Sequence, residues 1–193
     1  MDNKLKISIG ILVVLVCFYF YDRNTQNQYH DSFVELFDFN HQDISKINIL
    51  KNQDGIEIEK VDSIWKINGH DSLNIKTQSI DKFFSETMQV KRSSISISDN
   101  PKDLKTYSLD DSSAVVLIVY DKSGNTLGKG MFGINIKNYF SNYYKDFEDN
   151  KIYKTDSNIL SFLTLNLKYW GEIPVSSASD STNIELPLNS INQ

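Results

Sequence analysis

The chain has one cysteine, Cys17, so it can form no internal disulfide and no multi-cysteine zinc or iron-sulfur site. It also lacks an excess of cations: 20 Lys and Arg stand against 25 Asp and Glu. That balance excludes a sequence-independent nucleic-acid binder, which needs surplus positive charge to displace counterions from phosphates. Alanine is missing before Ala114, so no small-residue cleavage site follows the apolar N-terminal stretch, and Val14, Leu15 and Val16 are too bulky for lipidation at Cys17. HExxH, Walker and GxSxG patterns are missing, the one GxGxxG match, GKGMFG from Gly128 to Gly133, lacks a helix after it, and no cofactor or metal is expected.

What is present begins with an uncharged run, ISIGILVVLVCFYFY, from Ile7 to Tyr21. As a helix it spans roughly 22 Å, and two features extend it toward the ~30 Å hydrocarbon layer. Lys6 can snorkel so that Leu5 joins the span, and Tyr19, Phe20 and Tyr21 suit the opposite interface. The expectation is a transmembrane signal-anchor over residues 1–23, with Lys6, Ile7, Tyr19 and Tyr21 as its anchoring residues. The lipid bilayer is then one partner. Lys4 and Lys6 precede the run, so the positive-inside bias puts the N-terminus in the cytoplasm and the rest in the periplasm of a single-pass protein of the bacterial inner membrane. The cysteine-free remainder suits an oxidising compartment.

Residues 24–42 read as a spacer whose apolar knot, Phe33 to Phe39, docks on the domain. From Ile44 the apolar period becomes two: Ile47 with Ile49, Ile56 with Ile58, then Ile64, Trp65 and Ile67. Turn chemistry at Asn52 to Gly55, Asp62-Ser63 and Asn68-Gly69 predicts three antiparallel strands. Ile80, Phe83, Phe84, Thr87 and Met88 have helical spacing, with Thr77 or Ser79 as N-cap. Ser93 to Ser98 reads as a strand with Ile95 and Ile97 inward, and Pro101 opens a short helix. Strands follow at Ala114 to Tyr120, Thr126 to Phe132, Tyr143 to Phe147 and Lys151 to Thr155. Asp156 can cap a last helix carrying Ile159, Leu160, Phe162 and Leu163, and residues 175–193 read as a flexible tail. The fold class expected is α+β: an N-terminal transmembrane helix, then a soluble domain over residues 43–174 made of two antiparallel meander-plus-helix blocks.

Several segments carry a likeness. DLKTYSLDD, the strand AVVLIVY, the turn DKSGNT and the strand ending in GMFG, from Asp103 to Gly133, resemble bacterial proteins carrying the domain of unknown function numbered 4340. IEIEKVDSIWKI and NYYKDFEDNKIYKTDSNILSFL are similar to that family's Trp strand, aromatic hairpin and closing helix. Ser108 stands where the family has glycine. The resemblance, over about Ile44 to Leu165, implies a membrane-anchored extracytoplasmic accessory module that accompanies ABC-transporter components of the gliding-motility type. It implies no enzymatic activity.

Candidate functional residues are few. His30, His41 and His70 show no ligand spacing, and GKGMFG falls in a strand instead of before a helix. Carboxylate groups at Asp99 with Asp103, Asp110 with Asp111, and Asp146 with Glu148 and Asp149 sit at turns, where Asp bonds to backbone. The aromatic cluster Tyr139, Phe140, Tyr143, Tyr144, Phe147 and Tyr153 is the better candidate; most of its rings are expected in the core. Tyr139, Tyr143 and Tyr144 are the possible partner-binding residues. Trp65 reads as a strand residue packed on a helix, Trp170 as a core lid or a membrane-facing contact. The function expected is a non-catalytic binding module, an auxiliary component of an ABC-transporter-like or envelope complex with a membrane-protein partner. The rival is an envelope enzyme or a carbohydrate- or peptide-binding protein using the aromatic strands and loop carboxylates.

Overall fold

The computed structural model describes residues 11–19 and 32–174. Two meanders are fused into one antiparallel sheet. The first is β2 (Lys46–Lys51), β3 (Asp54–Val61) and β4 (Ile64–Ile67), following the short β1 (Phe33–Glu35). The second is β7 (Val115–Tyr120), β8 (Thr126–Ile134), β9 (Asn142–Lys145) and β10 (Ile152–Lys154). Their first strands pair, Ile47 opposite Val119 and Ile49 opposite Leu117, giving the seven-stranded order β10-β9-β8-β7-β2-β3-β4. Outside it, β1 pairs with β6 (Lys91–Ser93), and β5 (Asn74–Ile75) pairs with β11 (Gly171–Glu172).

The period-two pattern explains the main core. Ile47, Ile49, Ile56, Ile58, Ile67, Leu117, Val119, Phe132 and Tyr144 share one face, since alternate residues of a strand point the same way. Helix α1 (Thr77–Lys82) and the π-helical turn that continues it through Thr87 cover that face with Ile80 and Phe83. Phe37, Ile159, Leu163 and Trp170 complete the layer. On the other face, behind β8 to β10, the segment 97–109 buries Leu109 against Tyr143 and Ile152. Tight turns use left-handed residues at Asn52, Asp62 and Ser63.

Several expectations are corrected. Among the described residues the protein is mostly β, a seven-stranded antiparallel sheet with two small two-stranded sheets and few helices, and not two separate meander-plus-helix blocks of an α+β domain. The pairing of β2 with β7 joins strands almost seventy residues apart, a contact that local periodicity does not encode. The helix predicted after Asp156 is a turn: the Ile159 carbonyl accepts the N–H groups of Phe162 at 2.9 Å and Leu163 at 3.3 Å and no ladder continues beyond them, while Asn142 Oδ1 holds the Ile159 N–H at 2.7 Å and Asn158 Oδ1 that of Leu160 at 3.1 Å. The last helix is instead the single turn α2 (Leu167–Trp170). Ile95 points outward, because the ladder ends at Ser93, whose hydroxyl donates to the Ile95 carbonyl at 2.7 Å. Lys76 is the N-cap residue of α1 and supplies no side-chain capping bond; its Nζ donates instead to the Lys168 carbonyl at 2.6 Å.

The transmembrane signal-anchor is also corrected. Among the described residues no helix is long and apolar enough to cross a membrane. Tyr19 lies in the helical run over 11–19 and is exposed, while Lys6, Ile7 and Tyr21 fall outside the described residues, as do the spacer's first residues and the tail from 175.

Candidate functional site

Tyr143 and Tyr144 are interior residues, 5% and 3% exposed, so neither is a surface contact. Every residue of β9 is buried, because the strand is covered on both faces. Tyr143 packs edge-on against Tyr107 at 4.7 Å, and Tyr144 lies 5.4 Å from Phe132 on the opposite side. A side chain at Gly130 would collide with the Tyr144 ring, with its Cβ 2.5 Å from Cε2, so that glycine exists to admit the aromatic ring. Burial pushes both phenols above their usual ionisation range, Tyr144 the more strongly.

Tyr139 behaves differently. It is 72% exposed, beside Phe140 at 85%, Ile136 at 68% and Ile134 at 47%. The four belong to the end of β8 and the connection to β9, residues 134–141. Single exposed apolar residues need no explanation, but four exposed within seven positions are an unusual concentration for one connection.

Polar side chains fix the shape of this loop. Asn135 is buried; its Oδ1 accepts the N–H groups of Lys137 and Asn138 at 3.2 and 3.1 Å, and its Nδ2 donates to Ser141 Oγ at 2.9 Å. Asn138 Oδ1 accepts the Phe140 N–H at 3.1 Å, and the Asn138 carbonyl accepts from Ser141 N–H at 3.3 Å. Asn158 Nδ2 donates to the Tyr139 carbonyl at 2.8 Å, and Asn142 Nδ2 donates to Asn158 Oδ1 at 3.1 Å. These are Asx turns stacked in series. A groove of about 580 Å³ adjoins Ile134, with Val115, Leu160 and Leu163 apolar and Lys51 and Asp54 at its polar end.

The other sequence candidates are structural. Asp103 Oδ2 accepts from Ser98 Oγ at 2.6 Å, Asp110 Oδ2 from Ser112 Oγ at 2.5 Å, Asp146 Oδ1 from the Glu148 N–H and Asp149 Oδ1 from the Lys151 N–H, both at 3.0 Å. Each carboxylate secures its own turn. His41 meets Gln89 at 3.5 Å and the Phe39 ring, His70 is half-buried in a loop, and His30 is outside the described residues. No group of three or more His, Cys, Asp or Glu among the described residues could hold a metal ion. Trp170 is fully buried, its indole N–H donating to the Thr164 carbonyl at 2.7 Å, so it is the core lid and not a membrane-facing contact. In GKGMFG, Gly133 lies where a Cβ would strike the carbonyls of Tyr107 and Ser108, which makes it a packing glycine; Ser108 itself adopts φ 55°.

Sequence reasoning named Tyr139 and missed Ile134 and Ile136. The available signal was Asn at 135 and 138 alternating with large apolar residues, turn chemistry without the usual polar tip. The chain matches no protein-family model, and neither the curated proteins nor the solved structures contain a significant match.

Proposed function

We propose that the protein is a non-catalytic accessory module of a bacterial envelope or transporter-like assembly, acting on the extracytoplasmic side, and that it docks through the 134–140 loop. The observation that carries this reading is the pairing of four exposed apolar side chains with a loop backbone held by buried or bonded asparagines. Folding alone gives no reason to expose Ile136 and Phe140, whereas preorganised apolar side chains reduce the entropy lost on association. Two further points support it. The sequence from residue 18 onward has no thiol, and the residues of Asp103 to Gly133 resemble the extracytoplasmic family described above.

Photo-cross-linking in native cells tests this reading. A reactive amino acid at position 140 is expected to give a discrete adduct, to protein or to lipid, while the same group at Ser123 gives none. Absence of any adduct at 140, or equal labelling from both positions, overturns it.

A further inference from the structure

We propose that the open edge of the seven-stranded sheet, at β4, is closed by this chain's own residues 184–187, which add a strand antiparallel to β4 with Leu186 opposite Trp65 and Glu185 opposite Lys66. Residues 134–140 take no part.

The two edges of the sheet differ. At β10 the Ile152 N–H donates to the Ser98 carbonyl and the Ile152 carbonyl accepts from the Ile97 N–H, both at 2.7 Å, while Arg92 bridges Thr155, so that edge is covered. At β4 only the side toward β3 is paired. The Asn68 N–H donates to the Glu57 carbonyl at 2.9 Å, which fixes the alternation of this ladder: Ile64 and Lys66 turn their backbone groups to β3, and Trp65 and Ile67 turn theirs outward. Among the described residues the Trp65 N–H and C=O and the Ile67 N–H have no partner. Such a row pairs readily with an extended chain, and folded proteins normally cover it. Beside it Trp65, Phe84, Lys60 and Ile44 line an open hollow of about 510 Å³.

Position, reach, pattern and charge single out residues 184–187 as the occupant. β11 pairs with β5, and a Cβ at Gly171 would lie 3.0 Å from Ile67 Cδ1, so the chain leaves the described fold next to the end of β4. Residues 175–183 then offer about 30 Å at ~3.3 Å per residue, more than twice the ~13 Å length of β4. Ile184 and Leu186 alternate with Glu185 and Pro187. With Leu186 opposite Trp65, Ile184 falls opposite Ile67; both bond the outward groups of β4, and both turn their side chains to the core face that Trp65 and Ile67 share. Pro187, which has no N–H to donate, then faces solvent on the outermost strand, where proline is tolerated. Glu185 meets the exposed Lys66 on the other face. A second copy of β4 bonding through the same groups would set Trp65 opposite Ile67 and Lys66 opposite Lys66, like charges that repel.

Two measurements on the full chain test this. Exchange of the Trp65 N–H should be about tenfold slower in the natural chain than in Leu186→Pro, which removes the inward donor, and unchanged by Pro187→Ala, whose new N–H points to solvent. In a Cys17→Ser background, Lys66→Cys with Glu185→Cys should close to a disulfide within one chain under mild oxidation. It should form about tenfold faster than the disulfide of Lys66→Cys with Leu186→Cys, whose side chains lie on opposite faces. Unchanged denaturation midpoints show that the variants fold. Equal rates from positions 185 and 186, or Trp65 exchange indifferent to Leu186→Pro, overturn the proposal. A disulfide formed only between two chains assigns the edge to a second copy and overturns it as well.

Discussion

The turn at 121–125 and the loop at 134–141 stand at the two ends of β8, and both are shaped by one side chain that accepts backbone N–H groups. At the first end Asp121 Oδ1 accepts from Ser123 and Asn125 at 2.8 and 2.9 Å; at the second Asn135 Oδ1 accepts from Lys137 and Asn138. The hydrogen bonds are alike and the surroundings are not. Asp121 works in water and holds a polar tip, Lys122, Ser123 and Asn125; Asn135 is 3% exposed and holds a tip of Ile136, Tyr139 and Phe140. Capping chemistry thus sets the path of the chain at both ends, and what differs is the side chains displayed on that path, polar at one end and apolar at the other. The neutral amide is required where the cap is buried, because a carboxylate there would be desolvated without a counter-ion.

Substitutions can break this contrast. The largest effect is expected just past the loop, where Tyr144→Ala should destabilise the fold by about 3–5 kcal/mol by emptying the space beside Gly130 and Phe132, measured by denaturant unfolding. Next, Asn135→Asp keeps the shape but loses the donor to Ser141 and buries a charge. It should cost about 2–4 kcal/mol at neutral pH, and the loss should shrink in acid as the carboxyl is protonated. A midpoint unchanged by Asn135→Asp would show that the two caps are equivalent.

A smaller difference is expected with pH. Hydrogen bonds from the Asn125 side chain and backbone hold the Asp121 carboxyl below its ordinary value of 3.8. A lowered folded pKa gives stability that is present above 3.8 and is lost as pH falls through the folded value. Amide exchange at Ser123 and Asn125, corrected for its intrinsic pH dependence, should therefore lose protection below that pH. Exchange at Lys137 and Asn138, bonded to a neutral amide, should not. The smallest effect on stability, within about 0.5 kcal/mol, is expected for Tyr139→Ser and Phe140→Ser, which leave the capping bonds intact. The same two substitutions should abolish the contact made by the loop. Loss of fold in either would assign Tyr139 or Phe140 to packing.

Much of the sheet was legible in the sequence. Ile47 with Ile49 and Ile56 with Ile58 alternate because a strand turns its side chains over every residue, and the hairpin at Asp62-Ser63 announces itself by residues that tolerate positive φ. The site was only partly legible. Tyr143 and Tyr144 point to opposite faces in any strand, but nothing in their order says that segment 97–109 covers one face and the main core the other. Ile159 and Leu163 have helical spacing and are buried as that spacing suggests, yet the segment stops at a single turn closed on the Ile159 carbonyl and is tied to β9 through the Asn142 carboxamide.

By itself, then, the order of residues determined where the strands of the two meanders run, where they turn, that no thiol chemistry is present beyond Cys17, and that the protein is acidic, because each of these depends on neighbours a few positions away or on composition alone. Only the tertiary structure decided that two meanders form one sheet through β2 and β7, that Tyr143 and Tyr144 are interior, and that Ile134, Ile136, Tyr139 and Phe140 are exposed together. Burial is a property of what packs from distant parts of the chain, and an aromatic residue reads the same in sequence whether another segment covers it or leaves it bare.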